Sequence, residues 1–543
     1  MITDLKINEK RKRYYYDQGF WGTDTLLDVW NAQAARLGER EYVADDQGSR
    51  FTYGQIDSAA ACFASWLDEA GVQAGDVVSF QFPTWAEFCI VYVACLKVGA
   101  VMHPLPRNFN DADLTYIMNL VGTKAFVCPT RFRSVDYEQQ ALSVRDDIPS
   151  LAAIAVVDKF EPARTGLPAL SEICASHEPF TRTPEVTSDD VACILSTSGT
   201  TGKQKAVLLT HNNMLFSERS FCRAAERTQD DVMFMASPLN HAVGFWHGLV
   251  SPMILGGRSV LMQDFKPDAA IRLMNAEKCT WSMGATPFIY DMLKCIEHEG
   301  GPAIETLELF LCGGAPVPSR LVKCAHAHGV NLCEIYGSTE SCPHVYVPPR
   351  ECLEWNGAWS GVPYEGIEIK IVDADGNELP RGEQGEEISR GPHQFVGYLN
   401  ERERTDRVLD DEGWFHSGDL GYMDEEGRLR INGRKKEIII RGGENICARE
   451  IDDDLIGCPG ISETATIGMP DERLGERICT FAVPTGDARP ALDEVTAYLA
   501  GKHVAKRLWP ERIEYIERIP KTPTGKVKRF ELAKELAKRM ENE

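Results

Sequence analysis

The sequence is short of positive charge. It sets 58 Lys and Arg against 81 Asp and Glu, a formal net charge of −23, whereas a chain that grips nucleic acid through its phosphates needs clustered Lys and Arg. No nucleic-acid partner is expected, although a locally basic site for small anions is still allowed. Long apolar runs are missing too. The richest stretch, FCIVYVACLKVGAVM from Phe88, is broken by Lys97 and falls short of the roughly 20 residues of a membrane-spanning helix, so no transmembrane segment is expected. The N-terminal MITDLKINEKRKRYYY carries charge without the apolar core of a signal peptide. The expectation is a soluble, cytoplasmic protein. Seventeen cysteines are spread singly from Cys62 to Cys479 with no C-x-x-C pair, which suggests neither a disulfide framework nor a zinc ribbon but small buried thiols in a reducing compartment. There is no internal repeat and no low-complexity tract.

One further pattern is absent. The phosphate loop of common NTPases reads Gly, four residues, then Gly-Lys-Ser/Thr. In ILSTSGTTGKQK, residues 194–205, Gly199 and Gly202 stand three apart and Thr197 occupies the first glycine's place.

What is present is a chain of 543 residues, 43% hydrophobic and 26% charged, long enough for several folding units with a large core. Ile56, Ala60, Phe63 and Leu67 recur at helical spacing and Gly71 ends the pattern. DVVSF, AEFCIVYVACLKVG and AVMHPL then read as strand, helix and strand, a βαβ unit that requires a parallel sheet covered by helices. The alternation returns in DVMFMAS, a helix near Trp246 to Ile254, SVLMQ, a helix from Pro267, and CTWSMGAT. After Asp419 the texture changes to short strands and turns, then to a small α+β segment of about a hundred residues, an ordinary domain size. The boundary is expected near 434–437.

Segment 196–205 is small, hydroxylated and basic: Ser196, Thr197, Ser198, Gly199, Thr200, Thr201, Gly202, Lys203 and Lys205. Backbone N–H groups exposed by glycine, hydroxyl donors and lysine charge suit a polyphosphate. The composition equally fits a surface turn between VACIL and AVLLT. Four further stretches bear on the choice. CGGAP (312–316) follows LELFL, and YGSTE (336–340) follows NLCEI, the strand ends where open α/β sheets bind ligands. HSGD (416–419) offers a carboxylate able to accept ribose hydroxyls, and PKTPTGKVKR (520–529) offers Lys526 beside a glycine.

In this order the five stretches resemble the adenylate-forming superfamily of acyl-CoA synthetases, nonribosomal adenylation domains and firefly luciferase, from about Leu26 to about Leu532. The resemblance implies an α/β fold: a large N-terminal domain, 1–434, of parallel-sheet βαβ layers plus a small β-rich subdomain, and a small mobile C-terminal α+β domain, 435–543. It implies an acid–thiol ligase in which a carboxylate attacks the α-phosphate of ATP, giving an acyl-adenylate and pyrophosphate, after which a thiol, coenzyme A, displaces AMP. By resemblance, Thr197 and residues 198–205 handle the β- and γ-phosphates. Gly313, Gly314, Ala315 and Tyr336 hold the adenine, and Glu334, Gly337 and Ser338 belong to the same nucleotide-binding set; Thr339 meets the α-phosphate; Glu340, with Thr200, holds Mg²⁺. Asp419 and Arg434 hold the ribose, and Ile431 is a further nucleotide-binding residue. Lys526 is the adenylation lysine, bridging carboxylate and α-phosphate. Lys436 is the hinge about which the C-terminal domain rotates, bringing the face 441–445, with Gly442, Gly443 and Glu444, to the site, where Gly443 lines the thiol tunnel.

One departure is Gln204, where relatives carry proline before the second lysine; it frees φ and adds an N–H. For the acid, the resemblance points to His241 at the pocket mouth, Val243, Phe245 and Trp246 after it, and Gly284 and Ala285. Ala242 stands where aryl-acid ligases carry Asn, which disfavours a phenolic acid. Gly337 replaces the tryptophan that closes the pocket of acetyl-CoA synthetases, so a longer aliphatic chain is expected, each buried methylene gaining about 0.8 kcal/mol. The wording lies nearest bacterial short- and medium-chain fatty acid–CoA ligases; alicyclic, bile, carnitine-type or aryl acids, and a stand-alone enzyme loading an acyl carrier protein, are the alternatives. A homodimer is among the assemblies the composition allows.

Overall fold

The computed structural model describes residues 2–541 apart from 199–203, 315–316, 442–443, 472–473 and 523–524, and not the side chains of Ser198, Lys436, Ile440, Glu444 and Asn445. The fold is mixed α/β and divides into two compact units, Met1–Glu368 with Ser389–Phe415, and Ile369–Ile388 with His416–Glu543.

The larger unit is built on two sheets. In the six-stranded one, Val191–Ser198, Val101–Leu105, Val77–Gln81, Thr123–Pro129 and Ala153–Val157 lie parallel in that order, and Gln204–Thr210 closes the edge antiparallel. Val77–Gln81 is buried along its whole length, as a parallel strand covered on both faces must be. The expected helix before it forms as Tyr53–Glu69, with a Thr52–Gln55 capping box, and buries Ile56, Ala60, Phe63 and Leu67. Helix Phe88–Val98 is buried all round except at Lys97 and ends on Gly99 at φ 76°, a left-handed position that suits glycine.

The second sheet has nine strands. Asn331–Ser338, Leu309–Gly313, Trp281–Ala285, Val232–Met235, Arg258–Leu261 and Glu41–Asp45 run parallel at its centre, with antiparallel strands at both edges. Helices Pro267–Glu277, Thr286–His298 and Ser319–Ala327 cover one face around Phe234, Phe310, Ile271, Met292 and Leu321.

The helix expected near Trp246 to Ile254 takes an unexpected form. Val243–Val250 is π-helical and only Ser251–Leu255 is α-helical. Pro252 has no N–H to return to the Gly248 carbonyl four residues back, and that carbonyl instead accepts the Ser259 hydroxyl. Wide turns of this kind concentrate at functional sites.

The smaller unit holds a four-stranded sheet, in the order Glu368–Val372, Gly385–Arg390, Phe415–Met423, Leu429–Arg434, and a five-stranded sheet around the hairpin Ile461–Asp471 and Gly475–Pro484. Helices Ala448–Asp454 and Leu492–Gly501 enclose a core of Ile439, Ile446, Ile451, Ile478, Val495 and Leu499. By packing, the four-stranded sheet with Asp419 and Arg434 groups with the C-terminal chain.

Candidate active site

Strands Val191–Ser198 and Gln204–Thr210 form a hairpin in which Ser198 pairs with Gln204 and Thr197 with Lys205. The register fixes where the loop begins and ends; Gly199, Thr200, Thr201, Gly202 and Lys203 lie outside the described residues. Lys205 points to the turn after Asn331–Ser338. Its Nζ lies 3.1 Å from Glu340 Oε1 and 3.1 Å from the Tyr398 hydroxyl, 4.6 Å above the Tyr398 ring. Tyr398 in turn donates to Glu340 Oε1 at 2.8 Å. The triangle joins the two sheets of the larger unit. Segment 395–399 makes it possible by running along the edge strand, with Leu208 N–H donating to the Gly397 carbonyl at 3.0 Å and Leu399 N–H to Ala206 at 2.9 Å, while Phe395 N–H meets the Glu340 carbonyl at 2.8 Å.

Burial pushes the Glu340 carboxyl up, but the Lys205 charge and the Tyr398 hydrogen bond outweigh it and hold the group below the usual range. An ionised oxygen donor, 9% exposed, fits a hard divalent cation such as Mg²⁺.

The hairpin is anchored from beneath. Across the parallel strands, Thr123 Oγ1 lies 2.6 Å from Ser79 Oγ, Ser79 Oγ 2.8 Å from His103 Nδ1, and His103 Nε2 2.9 Å from Ser196 Oγ. Burial lowers the His103 pKa to about 3, so the ring is neutral, with one donor and one acceptor nitrogen. It fixes Ser196, two residues before the end of the strand at Ser198. Thr197 Oγ1, next along, is buried and has no hydrogen-bond partner among the described residues, the condition of a group awaiting a ligand or a water.

The strand ends carry the next set. Gly284 pairs with Cys312 and Ala285 with Gly313, while Gly313 pairs with Ile335. Gly314 sits at φ 86°; Ala315 lies outside the described residues. Glu334, buried, accepts the Val317 N–H at 2.8 Å, so its carboxylate shapes the backbone that leaves the CGGAP segment. Tyr336 is half-buried and Thr339 half-buried in the turn before Glu340. Ser338 and Ser341 close that turn reciprocally, Ser341 N–H donating to Ser338 Oγ at 3.1 Å and Ser338 N–H to Ser341 Oγ at 3.2 Å. A Cβ at Gly337 would stand 1.9 Å from the Cys342 carbonyl oxygen, beside the irregular register at 336/337. Glycine is thus demanded by the hairpin itself. Its lack of a side chain carries less weight for acid length than the sequence comparison gives it.

His241 is half-buried before the π-helix, its carbonyl accepting the Phe245 N–H at 2.9 Å. Phe245 and Trp246 are fully buried. Phe245 packs on Phe88 at 5.1 Å and Tyr92 at 5.3 Å between ring centroids, which ties this segment to the other sheet's helix. Gly244 is obligatory, since a Cβ would lie 2.1 Å from the Pro238 carbonyl oxygen. Beside Gly284, residues Ser237, Met283 and Phe288 help enclose a cavity of about 10 Å³, at the lower limit for one water.

In the smaller unit Asp419 and Arg434 are cross-strand partners, with Arg434 Nε 2.8 Å from Asp419 Oδ1. Asp419 is buried and Arg434 exposed. The bend before Asp419 is fixed by Gly418 at φ 72° and by Ser417 Oγ, which accepts the Asp419 N–H at 3.0 Å and donates to the Glu387 carbonyl at 2.6 Å. Ile431 lies on the same hairpin, opposite Gly421. Lys436 falls in the 3₁₀ turn Lys435–Glu437. Arg529 braces that turn, its Nη1 3.0 Å from Glu437 and its Nη2 2.6 Å from Asp452. Lys526 is exposed, and its N–H donates to Thr522 Oγ1 at 3.1 Å across the turn at Gly525. Gly442 and Gly443 lie outside the described residues, and Glu444 opens the strand Glu444–Cys447.

A family model for AMP-binding enzymes matches residues 30–399, and one for the C-terminal domain of AMP-binding enzymes matches residues 450–526. The chain belongs to the AMP-binding enzyme family. This AMP-binding enzyme is 42% identical to the medium-chain fatty-acid–CoA ligase of Escherichia coli K12 over 542 residues, 99% of this chain and 95% of that one. It is 27% identical to the 2,3-dihydroxybenzoate-AMP ligase of Bacillus subtilis, over 97% and 96% of the two chains. Among solved structures, ATP-bound MatB from Rhodopseudomonas palustris superposes with a TM-score of 0.83 at 26% identity, covering 94% of this chain and 98% of that one. No helix among the described residues is long and apolar enough to cross a membrane.

Sequence reasoning about this AMP-binding enzyme misses two residues. Tyr398 lies 58 positions from Glu340 and outside every motif singled out in the sequence. His103 reads as part of the strand AVMHPL, and its one signal is a lone polar residue in a fully buried run.

Proposed function

We propose that this enzyme joins a carboxylic acid, a short- or medium-chain fatty acid, to coenzyme A through an acyl-adenylate, consuming ATP and releasing AMP and pyrophosphate in the cytoplasm. The observation that carries the reading is the Lys205–Glu340–Tyr398 triangle at the foot of the glycine-rich hairpin, in a chain 42% identical throughout to a medium-chain fatty-acid–CoA ligase.

The roles follow from charge. Adenylation brings a carboxylate against a triphosphate, two anions whose repulsion must be offset in the transition state. Lys205 and the hairpin donors, Thr197 among them, bind the β- and γ-phosphates that leave as pyrophosphate. Glu340 and Thr200 hold Mg²⁺, which when bound neutralises phosphate oxygens. Thr339 meets the α-phosphate, and the 313–315 segment and Tyr336 receive the adenine. Asp419 accepts the ribose hydroxyls while Arg434 fixes its carboxylate, and Lys526 bridges the acid and the α-phosphate.

We place the functional hinge at Lys436, with 435–543 swivelling after adenylation. The swivel withdraws Lys526 and presents the Gly442–Glu444 face to the thiol. His241 and the π-helical segment from Val243 to Trp246, with Gly284 and Ala285, line the acid's pocket. Ala242 favours an aliphatic over a phenolic acid.

The test is AMP release with CoA across a series from acetate to palmitate, with benzoate, cyclohexanecarboxylate and a bile acid alongside, and with an acyl carrier protein replacing CoA in a parallel arm. Hexanoate to decanoate should be turned over best, and thioester should form with CoA. Acetate or an aryl acid as the best substrate, or thioester on the carrier protein alone, would overturn the reading.

A further inference from the structure

At the C-terminal ends of helices Thr286–His298 and Ser319–Ala327, away from the strand ends that carry the site, three unlike side chains converge. Cys324 Sγ lies 3.2 Å from Glu297 Oε1, and His328 Nε2 lies 3.7 Å from the same oxygen. The sulfur, the imidazole nitrogen and a carboxylate oxygen all fall within 4.8 Å of one another. Helix geometry accounts for the pairing: Cys324 and His328, the residue that caps the helix, are four apart and share a face. Glu297 comes from the last turn of the neighbouring helix. Of the seventeen cysteines, fourteen are buried and Cys324 is one of three that are not.

A thiol donating to a carboxylate could be no more than a surface hydrogen bond. The third donor and the spacing argue for more. Ligands on a tetrahedron with a metal–sulfur distance near 2.3 Å and metal–nitrogen or metal–oxygen distances near 2.0–2.1 Å are roughly 3.3–3.6 Å apart. The contacts of 3.2 and 3.7 Å straddle that range before any ion draws them in.

We propose that Glu297, Cys324 and His328 form a binding site for one zinc-class divalent cation, clipping the ends of two helices together. The thiol gives up its proton on binding and the histidine binds neutral, so thiolate and carboxylate balance the ion's two charges. His298, whose Nε2 lies 3.9 Å from Glu297 Oε2, or a water completes the tetrahedron. Thiolate and imidazole select zinc over magnesium, so the Mg²⁺ that accompanies ATP leaves this site alone. Helix Thr286–His298 has 13 residues and is about 20 Å long. The ion therefore sits far from the reacting groups and acts on the helices, not on the chemistry. No C-x-x-C pair announces the site, because its third donor comes from a separate helix.

The test uses the full chain, stripped with a chelator and free of nucleotide. It is titrated with Zn²⁺ against a chromophoric competitor and separately with Co²⁺. The wild-type protein should take up one tightly held zinc, raise its Tm on binding, and show a thiolate-to-cobalt charge-transfer band. Cys324→Ser should abolish the band and weaken zinc binding at least about tenfold, and His328→Gln should weaken zinc binding with the band retained at higher Co²⁺. Both variants should match the wild-type Tm in metal-free buffer, which separates lost ligation from lost folding. Zinc affinity and the cobalt band unchanged in Cys324→Ser, or a wild-type protein that binds zinc no better than the Cys324→Ser/His328→Gln double variant, would overturn the proposal.

Discussion

Two lysines of this chain are assigned to the same ATP molecule, and their surroundings could hardly differ more. Lys205 stands on a sheet strand, 3.1 Å from Glu340 and lying over the Tyr398 ring, with its side chain 20% exposed. Lys526 stands on a tight turn at Gly525 and is exposed, and the Thr522 side chain holds its backbone. The first is fixed by a buried polar network shared between two sheets, so its charge stays in place without a reorganisation cost during reaction. The second sits on a turn closed by short-range hydrogen bonds, Thr522 N–H to the Lys526 carbonyl at 2.8 Å and Gly525 N–H to the Thr522 carbonyl at 2.9 Å, which suits the proposed role of a charge that serves one step and leaves before the next. In this reading, what stays is built into sheets and what moves is built on a turn.

The contrast can be broken from the fixed side first. Glu340→Gln removes the ionised partner of Lys205 and the proposed Mg²⁺ ligand. Acid-dependent pyrophosphate release should fall on the order of 10²-fold, with the Mg²⁺ requirement shifted upward, whereas Tyr398→Phe should cost far less.

His103→Asn tests whether the hairpin is held from beneath. Its expected effect is about tenfold in kcat/KM for ATP, borne mainly by KM, with little change in the KM for the acid. An effect on both substrates alike would mark the histidine as core packing alone.

The same histidine has a pH signature. Burial lowers His103 to about 3 and His211 to about 4, against about 6.5 for an unfolded histidine. Between those values the unfolded chain binds more protons than the folded one, so stability is full above about pH 6.5 and is lost as pH falls. Each group adds a slope on the order of 1.4 kcal/mol per pH unit. Urea midpoints measured from pH 7 to pH 5 should decline, and less steeply in His103→Asn.

The smallest effect belongs to Gln204, which opens the strand after the loop. Gln204→Pro should change the KM for ATP by no more than about threefold, and a loss of stability above about 1 kcal/mol would show that the hairpin needs its N–H.

Much of this was legible from local pattern. The βαβ alternation placed the sheets, and the spacing of Ile56, Ala60, Phe63 and Leu67 found a helix that buries all four. The loop, strand-end and tail motifs fell on hairpin, strand ends and turns. The illegible parts depend on which strands become neighbours. Nothing near His103 in the chain reveals that Ser196 will lie 2.9 Å away on the adjoining strand, or that Tyr398 will be laid along Gln204–Thr210. The π-helix was hidden because an apolar run with two glycines reads as an ordinary helix until Pro252 removes a donor. At Gly337 a substitution pattern suggested a wide pocket, where the close Cys342 carbonyl already forbids any side chain.

Whether fixed and movable groups divide the two half-reactions is decided by giving Lys526→Ala a chemically prepared octanoyl-adenylate together with CoA. Octanoyl-CoA should form within a few-fold of the wild-type rate, while adenylate formation from octanoate and ATP by the same variant should fall on the order of 10³-fold. Equal loss of both half-reactions, or adenylation that survives without the Lys526 side chain, would contradict that division.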